Sequence, residues 1–265
     1  MKAVALDLDG TLLNSEKVIS PEAKEILREL YNRGMEIIIV TGRLYATTLP
    51  IVQSLDFPVT VICYNGARVM DTNTGEVLFE KGLKPEHVKK LIQFSHDNSV
   101  QLNLFQNDRW YVEDFEADGA QYYHKNSKII PIIKNFDTFT DYNVTKAIII
   151  DEAKILRDIE SNLKEVLGDE VYYTYSQARY LEILNKDVNK GITLKKVLEE
   201  KNIPITCCVA FGDAHNDIEM LTMAGIGVAM GNAHPDVKKI ADHVTDSNNE
   251  NGVANFLKAH HFIFK

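Results

Sequence analysis

Three short runs near the N-terminus constrain the fold more than any other feature of the chain. Ala3–Leu6 and Ile37–Val40 are apolar at every position, and Val59–Cys63 is interrupted only by Thr60. A strand with one wet face alternates polar and apolar residues. A strand with no polar position has to be covered on both faces, as parallel strands are. A helical segment separates the first two runs. Ser20 is placed to cap it, Pro21 suits its first turn, and Ala23, Ile26, Leu27, Leu30 and Tyr31 recur at helical spacing before Gly34. A second helix is expected up to Leu55, with Pro50 limiting its regularity near its start. Strand, helix, strand, helix, strand is the signature of a helix-covered parallel sheet.

The rhythm continues into a hairpin over 67–80, turning at Asp71–Gly75, and then breaks near Gly82–Pro85. The next hundred residues hold most of the tyrosines and alternating strands such as the one through Val100, Leu102 and Leu104. They also hold one long amphipathic helix, Ala153–Leu167, and strands over Val171–Tyr175 and Tyr180–Leu184. The α/β rhythm resumes after Asn189, with a helix over 192–201 and a buried strand at Cys207–Phe211. Val228–Met230 and His243–Val244 are shorter strand candidates. The expected fold class is therefore α/β: a Rossmann-like parallel-sheet core built from 1–82 and 188–265, interrupted by an inserted α+β domain over 83–187.

Composition narrows the function. The 265 residues carry a formal net charge of −9. Binding to nucleic acid or to an anionic membrane needs a basic face, so both are excluded as expectations. An anionic small molecule is not excluded, because bulk charge is screened within roughly 8 Å at physiological salt. No run approaches the ~20 apolar residues of a membrane span, and the first apolar run leads straight into Asp7 and Asp9 rather than a cleavage site. A cytoplasmic protein is expected. Cys63, Cys207 and Cys208 sit in apolar runs and read as packing residues rather than a disulfide framework.

Four clusters carry chemistry, and each lies after or close to an apolar strand or a helix start. In open parallel sheets, ligands bind at the carboxyl ends of the strands. The first cluster is Asp7-Leu8-Asp9-Gly10-Thr11. In extended backbone, residues two apart point the same way, so both carboxylates are expected to face one site. Two such charges at about 4 Å repel by ~4 kcal/mol at an effective dielectric near 20, a penalty that a cation would remove. An Asx-rich turn would explain one acid but not two. The second cluster is Thr41-Gly42-Arg43, where a hydroxyl, a flexible amide and a helix start suit a phosphate, and Arg43 reads as a group near the substrate or as a surface salt bridge. A plain Thr helix cap is the alternative. The third is Asn189-Lys190-Gly191, whose lysine is either a surface charge or the fixed cation that several acids and a phosphate require. The fourth is Gly212-Asp213-Ala214-His215-Asn216-Asp217. Asp213 suits an oxygen shell around Mg²⁺, Asn216 can donate to a phosphate oxygen, and Asp217 can orient the shell. His215 reads as a loop residue, because hard Mg²⁺ prefers oxygen.

The order and placement of these clusters resemble the haloacid dehalogenase superfamily, and in particular its Cof-type phosphatases with an α/β (C2-type) cap. Asp7–Thr11, Thr41–Arg43, Asn189–Gly191 and Gly212–Asp217 resemble its four motifs, and Asn65-Gly66 and Gly252-Val253-Ala254 also fit. The resemblance covers essentially the whole chain and implies individual roles. Asp7 would be the nucleophile and a Mg²⁺ ligand. Asp9 would be the general acid and base, with its backbone carbonyl on the metal. Thr41, the Gly42 amide and Lys190, assisted by the Leu8 amide, would hold the phosphate. Asp213 would bind Mg²⁺ and Asn216 would contact the phosphate.

The implied reaction is hydrolysis of a small phosphorylated metabolite through an aspartyl-phosphate, with the insert closing as a lid. A phosphomutase or a non-catalytic phospho-metabolite-binding protein would share many of these residues. A receiver domain is about half this length and fits the two-apart acids badly. In the insert, Trp110, Tyr122, Tyr123, His124, Arg179 and Tyr180 are candidates for substrate selection, each equally readable as packing or surface.

Overall fold

A computed structural model describes residues 1–264. They divide into two compact units, residues 1–79 with 189 onward, and Glu80–Val188.

The first unit begins with β1 (Ala3–Leu6), α1 (Pro21–Asn32), β2 (Glu36–Val40), α2 (Tyr45–Gln53) and β3 (Thr60–Cys63). A reversal to β4 (Arg68–Asp71) and β5 (Val77–Glu80) follows. The Ser20 hydroxyl accepts the Ala23 amide, and Pro21 occupies the first turn of α1, so the local capping chemistry sets where this helix starts. The second helix differs from expectation. It begins only at Tyr45, so Pro50 lies inside it rather than near its start.

The second unit runs α3 (Pro85–Asn98), β6 (Leu102–Gln106), β7 (Arg109–Val112), α4 (Asp118–Ser127), β8 (Ile132–Ile133), β9 (Lys146–Ile150), α5 (Ala153–Leu167), β10 (Val171–Gln177) and β11 (Tyr180–Asn185). Its six strands are ordered β10-β11-β9-β6-β7-β8, with only the β7–β8 pair parallel. It has three helices where one was expected. In α3 the apolar residues keep helical spacing (Val88, Leu91, Ile92) with Lys89, Lys90 and Gln93 on the exposed face, whereas α4 buries little beyond Gly119, Ala120 and Tyr123. One side of the sheet presents Leu102, Leu104, Ala147, Ile149, Leu181 and Ile183 to α3 and α5, which contribute Leu91, Leu156 and Leu163. This unit therefore has its own core.

The chain then re-enters the first unit with α6 (Lys190–Glu200), β12 (Cys208–Gly212), α7 (Ile218–Met223), β13 (Ile226–Ala229), α8 (Pro235–Ile240), β14 (His243–Val244) and α9 (Gly252–Ala259). The sheet order is β14-β13-β12-β1-β2-β3-β4-β5. Every pair from β14 to β3 is parallel, and β4 returns antiparallel to β3. Strand order reverses at β1, whose neighbours β12 and β2 come from opposite ends of the sequence. A crevice at the carboxyl end of such a reversal is where open α/β sheets bind ligands. Cys63 and Cys208 are buried as expected, whereas Cys207 is partly exposed. Among the described residues no helix is long and apolar enough to cross a membrane.

Candidate active site

Three of the four motif clusters leave the carboxyl ends of adjacent strands: Asp7 after β1, Thr41 after β2 and Asp213 after β12. The fourth enters from α6. Asn189 caps that helix by accepting the Ile192 amide at 2.7 Å, and this puts Lys190 in its first turn, two residues before the expected start.

Lys190 is the centre of the site. It is 1% exposed, and its Nζ donates at 2.7 Å to Asp7 Oδ1 and at 2.7 Å to Asp217 Oδ1. The surface-charge alternative is thereby removed. Burial alone would lower the lysine's pKa, but the two carboxylates raise it above its ordinary value, so the side chain is a permanent cation.

Asp217 is fully employed in building the loop. Its Oδ2 accepts the amides of Asp213 and Ala214, both at 3.0 Å. Asp213 is held by Thr11, whose hydroxyl donates to Oδ1 at 3.3 Å. Carboxylate oxygens of Asp7, Asp213 and Asp217 all lie within 4.8 Å of one another. Burial, with mutual repulsion among the acids, holds the Asp7 and Asp213 carboxyls well above the usual carboxylate range, against the pull of Lys190. Three acids around one lysine leave an excess of negative charge. With Asp217 taken up by Lys190 and two amides, Asp7 and Asp213 remain as oxygen donors, which fit a hard divalent cation.

Asp9 departs from expectation. Its carboxylate does not join the other three. Arg43 grips it at two points, Nε to Oδ2 at 2.5 Å and Nη2 to Oδ1 at 2.7 Å, and Lys17 Nζ adds a contact at 2.8 Å. Burial would raise the Asp9 carboxyl, but Arg43 and then Lys17 outweigh it and bring it down to about 2. The two-residue strand periodicity does not apply because the chain stops being extended after Leu6. Leu8 O accepts the amides of Thr11 and Leu13, and Asp7 O accepts that of Leu12, so the backbone coils immediately. Leu8 itself is buried.

The second cluster also differs in detail. Thr41 does not cap α2. Its Oγ1 accepts the Arg43 amide at 3.2 Å, and α2 starts four residues later, with Leu44 at its cap. Gly42 is required by its neighbour, since a Cβ there would sit 2.9 Å from Asn65 Oδ1. Asn65, which with Gly66 fits the family pattern, is 1% exposed, and its Oδ1 accepts Asn216 Nδ2 at 2.9 Å. Its own amide bonds Thr41 O at 3.0 Å. Asn65 thus ties the loops after β2 and β12 together. A helix- or strand-period search passes over it; its positive φ of 54° is the kind of conformation an Asn-Gly pair announces. Lys17 is the residue the motifs do not name, and nothing in its spacing marks it.

The candidates in the second unit are mostly packing. Trp110 and Tyr123 are 1% and 7% exposed with ring centroids 4.8 Å apart, and Tyr180 packs on Tyr123. The indole of Trp110 donates to Asn103. Arg179 stacks over Tyr122 and pairs with Asp118 at 2.7 Å, while His124 Nδ1 meets Ile129 O.

Around this carboxylate trio and buried lysine, residues 4–257 match one family throughout. The chain belongs to the haloacid dehalogenase-like hydrolases. Among curated relatives of this hydrolase is a putative phosphatase of Haemophilus influenzae, 33% identical over 262 residues and covering 97% of this chain and 96% of that one. A 5-amino-6-(5-phospho-D-ribitylamino)uracil phosphatase of Bacillus subtilis is 31% identical, covering 96% of both. A haloacid dehalogenase-like hydrolase from Bacteroides thetaiotaomicron has a similar solved structure, with a TM-score of 0.86 at 30% identity, covering 97% of this chain and 98% of that one. The hydrolase is accordingly an enzyme of the phosphoric monoester class, as its motifs implied.

Proposed function

We propose that this hydrolase removes phosphate from small phosphorylated metabolites in a Mg²⁺-dependent reaction that passes through an aspartyl-phosphate on Asp7. The observation that carries the proposal is Lys190, buried and shared at 2.7 Å by Asp7 and Asp217, with Asp213 alongside. Lys190 holds Asp7 in place and offers a fixed positive charge to the oxygens of an incoming phosphate.

In the proposed sequence a carboxylate oxygen of Asp7 attacks phosphorus, and the P–O bond to the leaving alcohol breaks. Asp9 gives that alcohol its proton, then takes one from the water that hydrolyses the acyl phosphate. Asp7 and Asp213, with the Asp9 backbone carbonyl, would hold Mg²⁺, which when bound offsets charge on the phosphoryl oxygens. Thr41, the amides of Gly42 and Leu8, Lys190 and Asn216 would hold the phosphate, and Asn65 fixes Asn216. A carboxyl at about 2 carries no proton near neutrality, so the acid step requires Asp9 to leave Arg43 and Lys17. An arriving phosphate is the natural competitor for those two cations. The substrate class is proposed as sugar or polyol phosphates and flavin precursors, supported by the named substrate of the Bacillus relative.

The test is phosphate release from a panel of such compounds with Mg²⁺, with EDTA, and with Asp7→Asn as the blank. Release that needs Mg²⁺ and vanishes in the variant supports the proposal. An isomerised sugar phosphate in place of free phosphate would make the enzyme a mutase. Tight binding without turnover would make it a binding protein.

A further inference from the structure

Beside the loop that carries Asp213 lies a second group of potential ligands with a different donor set. His215, His234 and Asp236 each offer one ligand atom, and these atoms all lie within 4.8 Å of one another. His215 Nε2 is 3.8 Å and His234 Nδ1 is 3.6 Å from the same oxygen, Asp236 Oδ2. All three side chains are about half exposed, so solvent reaches the point between them.

We propose that these residues form a binding site for a first-row transition-metal dication, separate from the carboxylate site around Asp7. Two imidazoles and a carboxylate suit Zn²⁺ and its neighbours and do not suit Mg²⁺, which takes oxygen ligands. Ligands about 2.0 Å from one ion lie roughly 3.3 Å apart at the tetrahedral angle. The observed 3.6 and 3.8 Å need only small side-chain rotations to close. Water supplies the remaining position.

The backbone prepares the group. His234 is the N-cap of α8, and its Nδ1 accepts the Asp236 amide at 3.3 Å, a long bond that ligation through this nitrogen replaces. Pro235 fixes the first turn between His234 and Asp236. Lys239 Nζ holds Asp236 Oδ1 at 2.7 Å and leaves Oδ2 to the two rings. The rings lie side by side, tilted at 48° with centroids 4.3 Å apart. The bland alternative is a solvated N-cap histidine that happens to lie near another. It does not explain why both nitrogens meet one oxygen whose partner is anchored elsewhere.

The site would be coupled to the catalytic loop. His215 follows Asp213 by two residues, and the His234 amide donates to Asp213 O at 2.9 Å. A metal there joins the turn after β12 to the start of α8.

The test is Zn²⁺ binding to the full chain by calorimetry, in excess Mg²⁺ so that the carboxylate site is occupied. Co²⁺ absorption reports nitrogen ligation directly. The expected result is one Zn²⁺ per chain, with affinity lowered at least about tenfold in each of His215→Ala, His234→Ala and Asp236→Asn. All three positions are exposed, and circular dichroism checks that each variant is folded. The proposal is overturned by parent binding no tighter than about 100 μM. It is equally overturned by unchanged binding in the variants, or by a loss confined to one of the histidines.

Discussion

Asp7 and Asp9 are two residues apart, yet their carboxyls are driven in opposite directions. Asp7 lies among other acids and is raised by burial, while Asp9 lies between two cations and is brought down to about 2. Each shift has a consequence for stability. A depressed carboxyl such as Asp9 stabilises the fold above its unfolded value of 3.8, and that contribution is lost as pH falls toward about 2. Lys17 is 59% exposed, so its share is screened by salt. Replacing Arg43 by Ala is expected to move the Asp9 titration upward, read by carbon NMR of the carboxyl; an unmoved titration would mean Arg43 does not set it. For Asp7 and Asp213 the sign reverses. Their folded pKa values exceed the unfolded 3.8, so without metal the protein loses stability as pH rises above 3.8. Added Mg²⁺ should therefore raise the melting temperature more at pH 8 than at pH 5. Equal increments at both would argue against a cation among these acids.

At the scale of elements, the site depends on α6 being docked so that Lys190 points into the sheet. Gly66 performs that docking. It has φ +107°, and the Thr193 hydroxyl of α6 donates to its carbonyl at 2.8 Å. A Cβ at this position would run into the carbonyl of Asn189, the helix cap. Gly66→Ala should thus cost roughly 1–3 kcal/mol in denaturant unfolding and lower turnover more than it alters fold content. Full activity would show that the cap does not position Lys190. In the second unit, Leu163 of α5 is fully buried in the core, and Leu163→Ala should cost about 2–5 kcal/mol. The helix α5 was readable residue for residue, because its apolar positions keep one period for four turns. The strands β1 and β2 were readable for a similar reason, since Ala3–Leu6 and Ile37–Val40 are apolar without interruption. The pattern of α3 was equally regular, with Val88, Leu91 and Ile92 on one face; what could not be read were α4, which buries little beyond Gly119, Ala120 and Tyr123, and the coil after β1, which turns on backbone hydrogen bonds rather than side-chain pattern. The site shows the same division. Lys190 with Asp7 and Asp213 could be anticipated from motif order, and the Asn65-Gly66 pair marked a turn, whereas Lys17 acts through a tertiary contact that no local spacing encodes.

At the scale of the molecule, the two units differ in how they are assembled from the sequence. Residues 80–188 are continuous and carry their own apolar core. Expressed alone, this segment is expected to melt cooperatively with the circular dichroism of a mixed α+β domain; a featureless melt would show that it is not autonomous. Residues 1–79 should not fold alone, because one flank of β1 is filled by β12, which is encoded more than two hundred residues later. That pairing has a consequence during biosynthesis. At about 5–20 residues per second, β1 emerges from the ribosome roughly 10–40 s before its neighbour exists. For that interval a fully apolar strand has an open edge, while the intervening segment can already fold. A failure at that stage would appear as poor yield rather than as a lower melting temperature.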